Sequence, residues 1–336
     1  MRSPGTWIFR IWKKPDRFGM TGRHRKILVT GANGFVAGSV ATQAPAHWTV
    51  VLVSRREPPR LRPAWIWRRA DAAEPESIAG VIREEAPDAV IHTAATANID
   101  YCESHPVKAL RVNTETPRAA AEACARMNAK FVFCSTDNVF DGQTGRYRES
   151  DVPNPVNRYG ITKYLAEQAV SAVDGLRAVI ARFTLVMGMP LLGAARPFMV
   201  RMFDDLAAGG PVWAPPGEIR TPIDVISLGR ALLELSENTY TGMIHLAGPD
   251  RTDRVDLTHQ LVRWMGEDPN RVRPIEINTI PGRARRPEDV TLDTTRARSV
   301  LRTPLPGMES GFHRVMEAWD RVRAGHEPEA YQPCGY

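Results

Sequence analysis

The chain of 336 residues is 43% hydrophobic and 24% charged, ordinary values for a folded protein. They fit one large domain or two tightly merged ones, and exclude a disordered chain, a collagen-like repeat and a coiled coil. The formal charge of +6 is concentrated at one end, because residues 1–26 hold eight Lys or Arg against one acid, Asp16. The remainder is close to neutral, so no basic face spreads over the fold and no nucleic-acid partner is expected. No apolar run approaches the roughly 18 residues of a membrane span, and no membrane partner is expected. Cys102, Cys124, Cys134 and Cys334 have neither CxxC spacing nor a neighbouring His cluster. Free thiols in a cytoplasmic protein are the expectation, not zinc or disulfides.

Residues 1–25 read as a basic, disordered extension. Trp7, Ile8, Phe9, Ile11 and Trp12 stand beside Arg10, Lys13 and Lys14. The apolar core of a secretory signal is missing, and Pro4 and Pro15 leave room for only a very short interfacial helix. From Lys26 the pattern changes. KILVT (26–30) is a short apolar run ending at glycine, as a buried parallel strand does. GANGFVAG (31–38) leads into a helical stretch limited by Pro45. WTVVLVS (48–54) is a second strand. Trp65 and Trp67 flank Ile66 in a short strand that puts both rings on one face, where they are expected to pack. Residues 74–86 predict a helix, 88–95 a strand, 104–128 a long helix interrupted near Pro117, 130–136 a strand, 157–173 a helix and 176–183 a strand. This alternation argues for an α/β fold, a doubly wound parallel sheet with right-handed crossovers. After Phe183 it loosens: residues 184–222 are rich in Pro and Gly with a helix at 197–208. A late strand at 243–248 and an amphipathic helix at 253–266 follow.

Gly31, Asn33, Gly34, Phe35 and Val36 form the turn between the first strand and the first helix, with Ala37 and Gly38 behind them. Close approach to a phosphate needs residues without a bulky Cβ, and the helix start offers free N–H groups to a pyrophosphate. Directly after a first strand this pattern predicts a dinucleotide site. The second strand ends in Ser54, Arg55 and Arg56, with no acid before Glu57. A carboxylate there would accept from a ribose 2′-hydroxyl; two guanidiniums suit a 2′-phosphate. NADP(H) is therefore the expected cofactor and NAD(H) the second choice.

Tyr159 and Lys163 are four residues apart at the start of a predicted helix, on one face. A neighbouring ammonium favours the phenolate, so Lys163 is expected to lower the Tyr159 pKa and make it a usable acid or base. Thr136, at the end of KFVFCST, supplies a hydroxyl to the same pocket. His92 ends a buried strand and reads as a core histidine. Asp137, Asp141 and Glu149 lack the fixed spacing of a metal site, and no metal is expected.

The segments VTGANGFVAG (29–38), HTAATANIDYCESHP (92–106), STDNVFDG (135–142), YRESDVPNPVNRYGITK (147–163), RTPIDV (220–225), GMIHLAGP (242–249) and RRPEDVTLDTTRA (285–297) make the chain resemble the extended short-chain dehydrogenases/reductases. Within that group it is similar to the dTDP-4-dehydrorhamnose reductase family, over about residues 26–315. The resemblance implies a Rossmann domain (26–184 plus 221–248) with a small C-terminal substrate cap (185–220 plus 249–325). It implies a nicotinamide cofactor, reduction of a 4-keto sugar nucleotide, and a homodimer formed through the helices at 104–128 and 157–173. Thr136, Tyr159 and Lys163 match the catalytic trio. Asp71, with Ala72, matches the acid beside the adenine, Ala94 and Ala95 the strand end along the cofactor, and Asn113 an asparagine beneath the site. Thr96, Asp137 and Asn138 fall on the substrate side. Arg220 matches a diphosphate-binding arginine, and Arg285 or Arg286 is a second candidate. Ala37 replaces a third glycine, Asn138 a tyrosine, and Phe183–Met187 lack the usual tryptophan and tyrosine. The chain is also similar to the regulatory β subunit of methionine adenosyltransferase, a non-catalytic alternative. A sugar-nucleotide epimerase or dehydratase is a third reading, although Asn138 leaves only half of a dehydratase's acidic pair.

Overall fold

The computed structural model describes residues 25–192, 195–326 and 329–331; the expectations for residues 1–24 and for Cys334 lie outside these. Strands β1 (Arg25–Thr30), β2 (Trp48–Ser54), β3 (Ile66–Arg69), β4 (Ala89–His92), β5 (Lys130–Thr136) and β6 (Arg177–Phe183) join Gly242–Leu246 in one seven-stranded sheet. The order is Gly242–Leu246, β6, β5, β4, β1, β2, β3, and every pairing is parallel.

Alternation along the strands builds two cores. Ile27 and Val29 face one side, with Leu52, Ile91 and Val132. Helices α1 (Phe35–Gln43) and Val225–Glu237 cover that side through Val40, Ala41, Leu228 and Leu232. Leu28 faces the other side, with Val53, Val90, Phe131 and Phe133. There α2 (Pro75–Glu85) contributes Ile78 and Ile82. Trp65 and Trp67 both pack against the first cluster, as their spacing predicts. A third cluster lies apart from the sheet: Met187, Met199, Met202, Leu257, Leu261, Phe312 and Val315 join the helices Phe198–Ala207, Arg254–Trp264 and Met308–Arg323.

The chain reverses its winding direction between β1 and β4, so a crevice opens at the carboxyl ends of these strands, where α/β sheets bind ligands. Among the described residues no helix is long and apolar enough to cross a membrane.

The helix predicted over 104–128 is divided. Two short helices, α3 (Ile99–Ser104) and α4 (Pro106–Leu110), precede a wide turn at Arg111–Glu115, and α5 (Thr116–Arg126) follows. Pro117 has no N–H to give Asn113, and the Thr116 N–H reaches back to Arg111 instead. The helix Val225–Glu237 has no sequence prediction. Eleven of its residues are buried, although Ser227, Arg230, Glu234 and Glu237 recur at helical spacing.

Candidate active site

A cleft of about 1,060 Å³ runs along the carboxyl ends of β1, β2 and β4. Gly31, Asn33, Gly34, Ser54, Arg55, Arg56, Asp71, Ala72, Ala94, Ala95 and Thr96 all line it. Gly31 has φ +73°, and a Cβ there would lie 2.9 Å from the Ala94 Cα. A Cβ on Gly34 would lie 2.9 Å from the Gly31 carbonyl oxygen. The turn is therefore a bare backbone cradle, and the N–H groups of Phe35 and Val36 belong to the first turn of α1, where a helix has no acceptors of its own. Their side chains turn away: Phe35 packs with the third cluster and Val36 with the first. Asn33 fixes the far wall, donating to Ser54 Oγ (3.3 Å) and to the Arg56 carbonyl (2.6 Å). This donor set fits a dinucleotide.

The cleft has walls that sequence reading missed: Glu57, Arg69, Tyr101 and Lys108. Arg69 is legible only through strand pairing, because it ends β3 directly beside Ser54.

Thr136 ends β5, and Tyr159 and Lys163 lie on α6 (Arg158–Ser171), whose N-cap Asn157 accepts from the Gly160 N–H at 2.9 Å. The Thr136 hydroxyl neighbours the Tyr159 phenol. Lys163 is buried, and its ammonium donates to the Cys134 carbonyl at 2.6 Å and sits 4.0 Å over the Phe133 ring. Burial pulls its pKa down to about 8, against the pull of Cys134 and Glu167.

The expected lowering of the tyrosine pKa does not occur in this pocket. Burial pushes the half-buried phenol above its ordinary value, and the Thr136 hydrogen bond offsets only part of this. The ammonium is turned to the Cys134 carbonyl, where it does not offset the desolvation. The phenol is consequently held protonated, the form a proton donor requires.

Asn113 sits in the wide turn and ties three elements together. Its side chain accepts from the Thr96 N–H (2.8 Å) and donates to the Thr96 carbonyl (3.1 Å) and to Thr162 Oγ1 (3.1 Å). Beside Thr136, the Asp137 Oδ1 accepts from the Thr136 hydroxyl (3.1 Å) and from Asn138 Nδ2 (2.8 Å). Asp137 Oδ2, Asn138 Oδ1 and Thr184 Oγ1 are buried without hydrogen-bond partners. Buried polar atoms of this kind are ordinarily satisfied by water, an ion or a ligand.

Of the three arginines weighed for a diphosphate, Arg285 is exposed, and Arg220 and Arg286 are engaged by the protein itself. Arg220 is buried, donates to the carbonyls of Ile219 (2.8 Å), Glu288 (2.7 Å) and Pro287 (3.1 Å), and stands 3.8 Å from Asp137. Arg286 is bidentate to Asp100, at 2.7 and 2.9 Å. Asp141 and Glu149 are likewise engaged, Asp141 by Tyr147 (2.5 Å) and Asn154 (3.0 Å) and Glu149 by the His245 N–H (3.0 Å). Among the described residues no group of three or more His, Cys, Asp or Glu is placed to hold a metal ion. His92 is a core residue: it meets Thr30 Oγ1 at 3.1 Å, and burial followed by the Lys163 charge lowers its pKa to about 3.

Residues 25–321 match the family model of the RmlD substrate binding domain. The chain belongs to that family. Among RmlD-type relatives, it is 30% identical to a dTDP-4-dehydrorhamnose reductase of Mycolicibacterium smegmatis, over 90% of this chain and 89% of that protein. It is 27% identical to the methionine adenosyltransferase 2 subunit beta of Bos taurus, over 84% and 85%. A hypothetical dTDP-4-dehydrorhamnose reductase from Sulfolobus tokodaii superposes with a TM-score of 0.74 at 28% identity, over 85% of this chain and 98% of that one.

Proposed function

We propose that this chain is an NADPH-dependent reductase of a 4-keto-deoxy sugar nucleotide. The observation that carries the reading is the proximity of Thr136 and Tyr159 at the end of β5, the sheet neighbour of β4 whose end borders the cleft, with Lys163 one helical turn away. Bound NADPH would supply a hydride to the ketone carbon. Gly31, Gly34 and the start of α1 hold the pyrophosphate, Asp71 and Ala72 the adenine end, and Arg55 and Arg56 the 2′-phosphate. Ala94, Ala95 and Asn113 shape the path toward the reacting end. Tyr159 gives its proton to the forming alkoxide, Thr136 orients the carbonyl oxygen, and Lys163 holds the ribose and balances the phenolate left behind. Asp137, Asn138 and Thr96 meet the sugar. Arg220 acts through Asp137, and Arg286 acts by anchoring its loop to Asp100. The cluster containing Met199 and Phe312 serves as the substrate cap.

The test is NADPH oxidation with a panel of keto sugar nucleotides differing in base and sugar. Turnover that disappears in Tyr159→Phe supports the reading; cofactor binding with no turnover on any member contradicts it. The similarity to the methionine adenosyltransferase β subunit favours a second reading, a cofactor-dependent binding subunit. Capture of a partner that depends on NADPH but not on Tyr159 would distinguish it. A homodimer is proposed through α4 and α6, where Val107, Leu110 and Leu165 are exposed apolar residues. Sedimentation that changes with Leu165→Glu tests it. The buried free thiols Cys102, Cys124 and Cys134 fit a cytoplasmic setting.

A further inference from the structure

Behind the site lies a buried charged cluster that the proposed chemistry does not use. Glu167 follows Lys163 by four residues on α6 and is 2% exposed, as is its partner Arg182 on β6. Arg182 binds it through Nε at 2.9 Å and Nη2 at 2.6 Å, and Ser135 Oγ donates to the same carboxylate at 2.5 Å. Arg182 also lies 5.0 Å over the Phe140 ring.

We propose that Glu167 is a positioning residue for the reductase chemistry, clamping β5 to α6 so that Lys163 stays charged and in register with Tyr159 and Thr136. The clamp point is Ser135. Its two chain neighbours are Cys134, whose carbonyl receives the Lys163 ammonium, and Thr136, whose hydroxyl meets Tyr159. One hydrogen bond thus fixes both strand partners of the helix that carries Tyr159 and Lys163. A buried ion pair gains little net stability over an apolar replacement, so stability alone does not account for a triad at this place. The carboxylate also supplies negative charge to an ammonium that is otherwise desolvated. The other ionisable groups facing Lys163 are the Cys134 thiol on β5, His92 on β4 and, through Glu167, Arg182 on β6; Tyr159 lies one turn before it on α6. None of these is a second anion near neutrality, because burial keeps the thiol and the phenol protonated and His92 neutral.

The inference rests on the proposed reductase reading, and its test separates the two. Glu167→Gln leaves Arg182 buried without its counter-charge; Glu167→Gln with Arg182→Met removes both charges and keeps the protein measurable where the single variant does not fold. NADPH binding by fluorescence across pH, melting temperature and steady-state kinetics are read on each. The expected result is an alkaline limb of NADPH binding displaced downward by about half a unit or more, since removing the anion disfavours the ammonium. A fall in kcat of roughly ten- to hundredfold with KM little changed should accompany it, the scale of a small misplacement of reacting groups. A double variant whose binding profile and kcat match the wild type, however far its melting temperature falls, overturns the clamp. A displaced binding profile in a protein that reduces no keto sugar nucleotide keeps the clamp and removes the reductase reading.

Discussion

Replacing Arg55, Arg56 and Arg69 together by alanine should convert a cleft that prefers NADPH into one indifferent to the 2′-phosphate. All three line the cleft beside the end of β2, and all three are exposed. Charge-assisted hydrogen bonds are worth about 1.5–3 kcal/mol each when desolvated. Exposure and screening trim each to about 0.5–1 kcal/mol, so three contribute roughly 1.5–3 kcal/mol, or about ten- to hundredfold in affinity. NADH binding should be almost unaltered, because a ribose diol presents no charge to these groups. Fluorescence titration of both cofactors into wild type and variant measures the effect, and added salt should shrink the wild-type preference. Equal affinity of the wild type for NADH and NADPH would refute the reasoning and make the arginines solvated loop residues. Arg69 carries the structural part of the argument: a single Arg69→Ala with unchanged NADPH affinity would show that strand pairing does not bring it to the phosphate.

Tyr159→Phe should keep the fold and NADPH affinity and lower kcat by about 10²–10⁴-fold, the usual worth of a positioned acid; steady-state kinetics with the preferred sugar nucleotide decide it. Gly31→Ala should lower the melting temperature and weaken NADPH binding, because the new Cβ meets the Ala94 backbone at a φ of +73°; an unchanged cofactor affinity would mean that the turn does not cradle phosphate. NADPH binding should weaken as pH rises through about 8, where Lys163 loses its proton, and a profile flat to pH 10 would contradict that. His92 and His245 are buried neutral with pKa values of about 3, in both cases mainly through desolvation. The unfolded chain takes up protons at these sites below about pH 6.5 and the native state does not. Stability should therefore be lost progressively as pH falls from 6.5 toward 3 and be unaffected by these groups above it; thermal melts across that range, with His245→Gln as a control, test the sign.

The sequence by itself determined the winding of the sheet and the cradle of the cleft. Short apolar strands at 26–30, 48–54 and 130–136 are legible because burial on both faces leaves no polar interruption. Gly31 and Gly34 are legible because only a bare backbone can make that turn. Thr136, Tyr159 and Lys163 follow from local spacing: two residues four apart on one helix face, and one strand end. What only the tertiary structure decided are the interactions between residues far apart in the chain. Arg69 reaches the cleft because β3 pairs with β2. Arg220 and Arg286 carry the residue type of a diphosphate ligand, yet backbone carbonyls and Asp100 occupy them. The Tyr159 pKa rises because desolvation in the assembled pocket exceeds what the Thr136 hydroxyl returns. Glu167 looks like any helix acid until Ser135 and Arg182, from two different strands, close on it. Local pattern fixes element type and backbone freedom; the environment of a charge is a sum over elements that only folding brings together.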